Sequence, residues 1–575
     1  MGELSEARVL LLDCQTTGAS PSRGALLEIG WAEADGRSEE LARAPEAHVA
    51  AQPGRARVPR RVRELTGITA AEVRRSGVAP EAIWAALMEA AGRLGEGPTP
   101  VVIHYARFER PFLEQLHAAH GEGPWPFRLI CTHAIAQRLF PGLPRRGIRA
   151  LAGYLGHDKP ELKRAAGHVA ATAAIWAGLT EVLEEEHGVG SLAELGEWLE
   201  RTPVVRGAKR EYPIARDKRL SLPRRPGVYR MLDRNQRVLY VGKATSLRQR
   251  VNSYFRKGRG ASERHLELVT RIWDVEVTPT ASPLEAALME TDAIKAHDPP
   301  YNIALKEVGR EVAFVSPDLR SASGAPSATH CLGPLPGAAS AHAVAALVRV
   351  LGEGGEEEVL EQAQALLIPV ERLPPMEIAL EGFERVRARY GLGGRERVSV
   401  RSLLGIGARL HVEALAARAS AAEGEPDEES AEGSEEGERD RSWTAEDVEQ
   451  AVLTGLMLHG RLLRRASWLC QLSEATVAWR PTHEEGAGWR CLAVEGGEVA
   501  FSRALGEGES PEAPVGGGRS FGERQRRFDV ATYDRLRVLT TELRRVLSSG
   551  GEASVWLGGR VRVEAAALAR LLSWV

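Results

Sequence analysis

The sequence predicts a multidomain protein built from α/β and α+β units. Its 575 residues exceed what a single core usually holds, and at roughly 150 residues per domain they correspond to three or four domains. Hydrophobic residues make up 43% of the chain and charged residues 27%, which is ordinary globular composition. Strand patterns alternate with helix patterns in the first third of the chain, and short strands precede helices in the middle, so both classes of unit are expected.

The N-terminal residues 1–188 are predicted to form an α/β domain. The stretch Val9–Asp13 has the pattern of a buried strand that ends in an acidic residue. A second apolar strand covers residues 100–104 and leads into a predicted helix from Arg107 to about His117. A helix-rich stretch then follows over residues 148–186. Strands that alternate with helices in this way indicate α/β architecture.

Residues 222–303 are predicted to form a compact α+β unit, and residues 189–221 a basic connector that precedes it. The unit begins with two short strands that a polar turn joins, which is the pattern of a β-hairpin. Two helical stretches come after the hairpin. The two strands are Gly227–Arg230 and Arg237–Val241, and the turn covers residues 233–236. The two helices cover residues 246–254 and 283–296.

The remaining chain carries less information. Residues 304–419 form a mixed region without an assigned role. Residues 420–442 are a predicted disordered linker, because ten of the residues from 423 to 440 are Asp or Glu. Residues 443–575 are predicted to form a small α+β domain, also of unknown role. Its expected helices lie near 444–467 and 531–548.

The distribution of charge points to nucleic acid although the net charge does not. The formal net charge of the chain is −3. Between Val205 and Gly260, however, there are 17 Lys and Arg against 3 Asp and Glu. A basic segment of this density is expected of a protein that binds a phosphate backbone. A solvated surface or a basic linker is the alternative explanation.

Composition also predicts where the protein works. The five cysteines stand singly, with no spacing typical of a zinc site or a disulfide framework. Apolar runs stay below the roughly 18 residues that a membrane helix needs, and the acidic N-terminus does not resemble a secretory signal. We therefore expect a cytoplasmic, nucleoid-associated protein that has neither a membrane partner nor a small-molecule cofactor.

The middle unit contains the strongest motif. Gly227-Val228-Tyr229 lies eleven residues before Tyr240-Val241-Gly242, and this pattern resembles the signature of GIY-YIG nucleases, in particular the incision domain of the UvrC/Cho type. Further elements of that family follow at matching places. They are Ser246-Leu247-Arg248, Arg250, Tyr254-Phe255, Glu285-Ala286-Ala287-Leu288-Met289-Glu290, Ile294-Lys295 and Pro300-Tyr301-Asn302. The resemblance implies a small α+β domain that cuts DNA.

The residue types also suit phosphodiester hydrolysis, which needs a base for water, positive charge at the phosphate and help for the leaving oxygen. By resemblance Tyr240 is the general base, with Tyr229 as the second choice. A tyrosine has a reference pKa near ~10, so the base needs the nearby cations Lys243 and Arg250. Each of these residues alone would be interpreted as a packed core residue or an ordinary surface residue. Only their combined spacing favours a catalytic role.

The resemblance assigns the other members of the site. Arg250 and Tyr254 would face the scissile phosphate, and Asn302 would orient neighbouring backbone or phosphate groups. Glu290 would be the lone carboxylate that holds one Mg²⁺ or Mn²⁺, whereas Glu285 is expected to cap its helix or face solvent. The predicted DNA-binding residues are Lys243, Arg248, Arg250, Arg256 and Lys257.

A second resemblance lies at the N-terminus. Asp13-Cys14-Gln15, the stretch His104-Tyr105-Ala106-Arg107-Phe108-Glu109 and His168 resemble the DEDDh exonucleases related to the polymerase III epsilon subunit. This implies a ribonuclease-H-like fold, in which four carboxylates hold two metal ions and a histidine is the base. Here Gln15 and Ala173 stand where that family has acids. With only Asp13 and Glu109 left, we expect the site to be degenerate.

Three hypotheses about function follow. The first is a metal-dependent DNA endonuclease that nicks one strand in nucleotide excision repair, on damaged double-stranded DNA that damage-recognition proteins of that system locate. The second is a 3′–5′ DNA exonuclease that works through the N-terminal domain. The third is a non-catalytic adaptor for repair proteins or a polymerase. The intact Tyr240, Arg250 and Glu290 favour the first.

Overall fold

The computed structural model describes residues 3–575 with internal gaps. These gaps are 38–43, 52–57, 158–162, 257–260, 307–309, 354–358, 369–371, 393–397, 423–442, 481–487, 507–508, 510–518, 559–560 and 574. The predicted acidic linker therefore lies almost wholly outside the described residues. The chain divides into two compact units, Met1–Pro283 with Pro299–Asn302, and Leu284–Asp298 with Ile303–Val575. The domain boundaries predicted from the sequence remain predictions.

The first unit begins with a five-stranded sheet in the order β3-β2-β1-β4-β5. Its strands are β1 (Val9–Thr16), β2 (Leu26–Ala34), β3 (Glu46–Val49), β4 (Thr99–Ile103) and β5 (Phe127–Cys131). β1 pairs antiparallel with β2 and parallel with β4. Within β1, Leu10 and Leu12 pack on one side of the sheet while Val9 and Leu11 pack on the other. The apolar run is continuous because this central strand is covered on both faces.

Helices surround this sheet. After a 3₁₀ turn (Leu4–Glu6), they are α1 (Arg60–Thr66), α2 (Ala70–Ser76), α3 (Pro80–Gly92), α4 (Ala106–His120), α5 (Thr132–Leu139), α6 (Ile148–Tyr154), α7 (Ala165–His187) and α8 (Leu192–Arg201). The long α7 is buried along one side through Val169, Ile175, Trp176 and Leu179. It brings His168, near its start, to the end of β1.

A three-stranded antiparallel sheet forms the centre of the next region, in the order β7-β6-β8. The elements are α9 (Arg216–Leu220), β6 (Gly227–Leu232), β7 (Val238–Ala244), α10 (Leu247–Ser253), α11 (Glu263–Arg271) and β8 (Asp274–Pro279). The β6–β7 turn is tight because Oδ1 of Asp233 accepts hydrogen bonds from the backbone N–H groups of Asn235 and Arg237, both at 2.9 Å. The predicted hairpin is thus present, with strands longer than predicted.

The two sheets of the first unit are held together by contacts between α6 and α11. A Cβ at Gly153 would lie 2.0 Å from Nε of Arg271, so only glycine lets these helices approach so closely. The rings of Tyr154 and Trp273 lie 5.4 Å apart, and the side chain of Asn235 donates to the carbonyl of Gly156 at 2.6 Å. The basic connector therefore joins two regions that pack on each other.

The second unit contains α12 (Pro283–His297) and the C-terminal part of the chain. Its strands form sheets in the orders β10-β9-β11 and β14-β13-β12-β15-β16. The strands are β9 (Ala313–Val315), β10 (Ala322–Ser323), β11 (Leu332–Leu335), β12 (Glu474–Arg480), β13 (Arg490–Glu495), β14 (Glu498–Ala504), β15 (Glu552–Leu557) and β16 (Val561–Val563). The helices are α13 (Ala339–Glu353), α14 (Val359–Leu366), α15 (Met376–Tyr390), α16 (Val400–Ala422), α17 (Ala445–Leu472), α18 (Phe521–Gln525), α19 (Val530–Ser548) and α20 (Ala565–Ser573).

Candidate active site

Three tyrosines meet on one face of the β6–β7 hairpin. The ring centres of Tyr229 and Tyr240 lie 6.1 Å apart, and that of Tyr254 lies 6.1 Å from the first and 5.9 Å from the second. The hydroxyl groups of Tyr229 and Tyr254 are hydrogen-bonded at 3.0 Å. Tyr229 and Tyr240 share a face because Tyr240 lies opposite Met231, two residues beyond Tyr229.

Gly242 makes room for this cluster. It lies opposite Tyr229 in the strand pairing, and a Cβ at this position would stand 2.4 Å from the Tyr229 hydroxyl and 2.9 Å from the Tyr240 ring. At Gly227, a Cβ would lie 2.4 Å from the carbonyl oxygen of Thr278 on β8. Both glycines of the motif are therefore required by close approach of other atoms.

The phenols of Tyr229 and Tyr254 have raised pKa values. Burial, with a further effect of the neighbouring Tyr240, raises the pKa of Tyr229 to about 12. Burial and the adjacent Tyr229 also raise the pKa of Tyr254 above its ordinary value. Tyr229 is buried, whereas Tyr240 and Tyr254 are partly exposed. Tyr229 and Tyr254 are thus suited to donate hydrogen bonds, and Tyr240 remains the candidate base.

Arg250 and His265 lie on either side of Tyr254. The guanidinium carbon of Arg250 is 5.3 Å from the centre of the Tyr254 ring, and the side chain is exposed. The ring of His265 stacks on Tyr254 at 5.8 Å, and its Nε2 is 3.0 Å from the Tyr254 carbonyl oxygen. His265 was not predicted from the sequence, because its position on the following helix carries no local signal.

Asn302 fixes the backbone of β7 next to Tyr240. Its Oδ1 accepts from the N–H of Val241 and its Nδ2 donates to the carbonyl of the same residue, both at 2.9 Å. The side chain of Asn302 is buried. This pair of hydrogen bonds orients backbone, which is one of the two roles that the sequence suggests for Asn302.

The predicted DNA-binding residues are placed on and after the same hairpin. Lys243 lies on β7, half-buried, and Arg248 lies half-buried at the start of α10. Arg250 and Arg256 are exposed. Lys257 lies outside the described residues.

Glu290, the predicted metal ligand, lies half-buried on α12 in the second unit. Glu285 of the same helix does not face solvent as expected. Its Oε1 accepts from Arg490 at 2.6 Å and also from Ser502, and its side chain is only 13% exposed. A bond to a residue 205 positions away leaves no pattern that sequence reasoning could use.

The N-terminal motif residues are also brought together. The Nδ1 atom of His168 is 3.0 Å from Asp13 and 3.2 Å from the amide nitrogen of Gln15, and that amide donates to Asp13 at 2.9 Å. Glu109 is buried and accepts from the backbone N–H of Cys14 at 3.1 Å. Burial and the nearby Asp13 raise the pKa of the Glu109 carboxyl well above its ordinary value. Ala173, where the family has an acid, is fully buried among apolar side chains.

A buried ion pair that the sequence did not predict supports His168. Glu28 of β2, which is 2% exposed, accepts from Arg164 at 2.6 Å and from the backbone N–H of Ala165 at 2.8 Å. It thereby fixes the start of α7, and His168 lies in the first turn. An acid between the apolar residues that begin the strand Leu26–Ala34 is the signal that could have found it.

A cavity of about 350 Å³ opens beside Gln15 and His168. Its lining is mixed: three basic side chains and two acids on α11 lie among apolar residues. The charged lining residues are Arg145, Arg149, Lys163, Glu263 and Glu267. Arg145 pairs with Glu263 at 2.8 Å. Gln15 and His168 of the N-terminal motif thus lie beside both basic and acidic side chains.

Metal ligands are sparse in the part of the chain that the structure describes. Within the described ranges, no group of three or more His, Cys, Asp or Glu side chains could hold a metal ion. A single carboxylate is compatible with Mg²⁺, which keeps several waters and takes phosphate oxygens as further ligands. None of the described helices is long and apolar enough to cross a membrane.

Comparison with protein families identifies both domains. A family described as "UvrC-like GIY-YIG domain" matches residues 225–303. A family described as "Exonuclease" matches residues 10–172. The chain contains both domains. The predicted fold class, an exonuclease domain of ribonuclease-H-like fold followed by a GIY-YIG domain in a multidomain α/β and α+β chain, is confirmed for these regions.

Curated relatives match a small part of the chain. The UvrABC system protein C of Psychrobacter sp. (strain PRwf-1) is 45% identical over 130 residues, which are 21% of this chain and 20% of that relative. The protein of the same name from Hahella chejuensis is 52% identical over 86 residues, 15% of this chain and 14% of the relative. The chain therefore spans a fifth or less of the length of these relatives.

Solved structures match the two domains separately. The GIY-YIG N-terminal endonuclease domain of UvrC from Thermotoga maritima, bound to magnesium, is 30% identical and matches 15% of this chain and 94% of that chain, with a TM-score of 0.14. Exonuclease X in complex with 5′ overhanging duplex DNA is 20% identical and matches 31% of this chain and 93% of that chain, with a TM-score of 0.23.

Proposed function

We propose that the protein is a metal-dependent DNA endonuclease that nicks one strand by phosphodiester hydrolysis in nucleotide excision repair. The observation that carries this proposal is the cluster of Tyr229, Tyr240 and Tyr254 beside Arg250, for which Gly242 leaves space. The match to a UvrC-like GIY-YIG domain supports a nuclease of excision repair. Damaged double-stranded DNA is the proposed substrate, and damage-recognition proteins of the excision-repair system are the proposed partners.

In this proposal the chain's own residues divide the chemistry. Tyr240 takes the proton from the attacking water, with the guanidinium of Arg250 nearby. Lys243 lies opposite Val228 in the strand pairing and therefore faces away from Tyr240, where it is left as a contact for the DNA backbone. Arg250 also offsets negative charge at the scissile phosphate. Tyr254, whose raised pKa keeps it protonated, donates a hydrogen bond to a phosphate oxygen. The buried Tyr229 holds the Tyr254 hydroxyl through their hydrogen bond of 3.0 Å. Asn302 keeps Tyr240 in place through the backbone of Val241.

Glu290 would hold one Mg²⁺ or Mn²⁺ as the only protein carboxylate. Its half-buried position on a helix suits a hard cation that takes its other ligands from water and phosphate. Such an ion supplies positive charge at the phosphate and the leaving oxygen. The residues that bind and orient the substrate lie on the β6–β7 hairpin and on and just after α10.

Substitution of the carboxylate tests this function. Glu290→Gln should abolish nicking of a damaged duplex in Mg²⁺ or Mn²⁺ but leave DNA affinity nearly unchanged, because it removes a metal ligand and no phosphate contact. Glu311→Gln is the matched control, since Glu311 is an exposed carboxylate beyond the GIY-YIG domain. The proposal fails if the Glu290 variant nicks DNA as fast as the control.

We propose further that the exonuclease domain binds DNA without cutting it. The supporting observation is that the Gln15 amide bonds both Asp13 and His168, where two ions would need negative charge to offset their mutual repulsion. Arg149 and Lys163, which line the cavity beside it, would contact the phosphate backbone. A 3′–5′ exonuclease is the competing function, and loss of 3′ trimming in an Asp13→Ala variant would establish it.

A further inference from the structure

The helix that carries Glu290 belongs to the core of the C-terminal unit. Leu284 and Leu288 of α12 are 2% and 5% exposed and lie in one apolar cluster with Trp468, Leu469 and Leu536 of α17 and α19. The curated relatives that match the GIY-YIG domain extend over only about a seventh to a fifth of this chain. The C-terminal residues 303–575 thus supply packing for a helix whose sequence resembles that of the nuclease domain.

Three ion pairs reinforce this packing. Glu285 accepts from Arg490 at 2.6 Å, and Asp292 pairs with Arg535 at 2.8 Å. The Nζ atom of Lys295 donates to Asp534 at 2.9 Å. Each pair joins α12 to a residue at least 205 positions further along the chain. Apolar packing and ion pairs therefore both attach α12 to the C-terminal unit.

Asp534 is the most buried member of these pairs. Its side chain is fully buried and that of Lys295 is 8% exposed. Arg310 is a second cation on this carboxylate, with bonds of 2.7 and 2.9 Å to the two oxygens of Asp534. A buried charge is costly unless it is paired with good geometry, so this cluster fixes α12 in one position along its axis.

The contacts occupy one side of α12 and leave Glu290 on the other. At about 100° per residue, the five contact positions fall within a sector of about 100°. Glu290 lies about 190° from the middle of that sector. The five positions are Leu284, Glu285, Leu288, Asp292 and Lys295. Through these five positions the C-terminal unit fixes both the position and the rotation of α12, and Glu290 lies on another side of the helix.

We propose that the C-terminal region, residues 303–575, is a positioning element for the metal ligand Glu290. This inference rests on the proposed nuclease function. The positioning residues are Arg490, Arg535 and Asp534. They contact α12 and affect cation binding only by fixing where Glu290 lies. Loosening their contacts weakens the response to the divalent cation, while the tyrosine cluster of the first unit is left as it is.

The Asp292–Arg535 pair offers the sharpest test, because Asp292 is half-exposed and charge reversal there need not unfold the protein. The full chain is compared as wild type, Asp292→Arg, Arg535→Asp and the double exchange. Arg545→Asp is the control, since Arg545 lies on the same helix α19 but pairs with Glu542 of that helix. Amide hydrogen exchange over residues 283–297 and the Mn²⁺ concentration for half-maximal nicking are measured for each.

We expect each single reversal at residues 292 and 535 to speed exchange in α12 and to raise the half-maximal Mn²⁺ concentration several-fold. The double exchange should restore both values toward wild type, and the Arg545 variant should change neither. Unchanged exchange in the single variants would overturn the inference, and so would faster exchange with an unchanged Mn²⁺ requirement. If Glu290→Gln nicks like wild type, the proposed nuclease site itself is wrong, and the inference falls with it.

Discussion

At the scale of single residues, the tyrosine cluster depends on the atom that Gly242 lacks. The Tyr229 hydroxyl occupies the space where a Cβ would be, 2.4 Å away, and from there bonds Tyr254 at 3.0 Å. Tyr229 and Gly242 were predicted from the two tripeptides, and Tyr254 from a later element of the same family pattern. The sequence could not identify His265 or Glu28, because their partners lie on elements that only the fold brings near.

We expect Gly242→Ala to displace Tyr229 and to lower the nicking rate at least tenfold. Overpacking of a close contact also costs about 1–3 kcal/mol in the free energy of unfolding. Nicking rates and urea unfolding measure the two effects. Gly92→Ala is the control, because a Cβ at this helical glycine meets no atom within 4 Å. Wild-type activity in Gly242→Ala would show that the close approach is dispensable.

The buried phenol of Tyr229 predicts a dependence of stability on alkaline pH. Its pKa is about 12 in the folded protein against ~10 for an unperturbed tyrosine. The folded state therefore holds this proton more tightly, so the contribution to stability is complete below pH ~10 and is lost as the pH rises toward 12. Below pH ~10 the difference in the free energy of unfolding between wild type and Tyr229→Phe should not change with pH. Between pH ~10 and 12 the wild type should lose stability that the variant keeps. Equal loss of stability in both proteins across that range would contradict the assignment.

At the scale of elements, local patterns predicted strands and helices well. The strand expected at Val9–Asp13 extends over Val9–Thr16, and the helix expected near 531–548 covers Val530–Ser548. Apolar periodicity contains this information because each element buries one or both faces. The association of α12 with the C-terminal unit was not predicted, since it depends on partners such as Asp534 that lie 239 positions from Lys295.

The two hydrogen bonds from Asn302 to Val241 give a prediction for strand β7. Asn302→Ala removes both and leaves buried backbone groups unsatisfied, at about 1–3 kcal/mol each. We expect lower stability in urea and a lower nicking rate, because Tyr240 precedes Val241. Asn302→Asp keeps the acceptor for the Val241 N–H and should be affected less. Identical losses in both variants would argue against the double contact.

At the scale of the whole molecule, the chain joins an exonuclease domain and a GIY-YIG domain, and the proposed function assigns cleavage to the second alone. The GIY-YIG domain keeps its tyrosines, arginine and carboxylate, whereas the exonuclease domain has Gln15 bonded to Asp13 and His168. The basic segment at 205–260, within a chain of net charge −3, concentrates positive charge next to the intact set. The role proposed for residues 303–575 had no signal in the sequence, because the contacts that suggest it are long-range contacts to one helix.

The most direct test of the account is a sizing of the products from an end-labelled duplex that carries one bulky adduct. Wild type, Tyr240→Phe and Asp13→Ala are incubated with Mg²⁺ or Mn²⁺, with and without damage-recognition proteins. We predict a discrete internal nick that Tyr240→Phe loses and Asp13→Ala keeps. A ladder that shortens from the 3′ end and disappears only in Asp13→Ala would contradict the account.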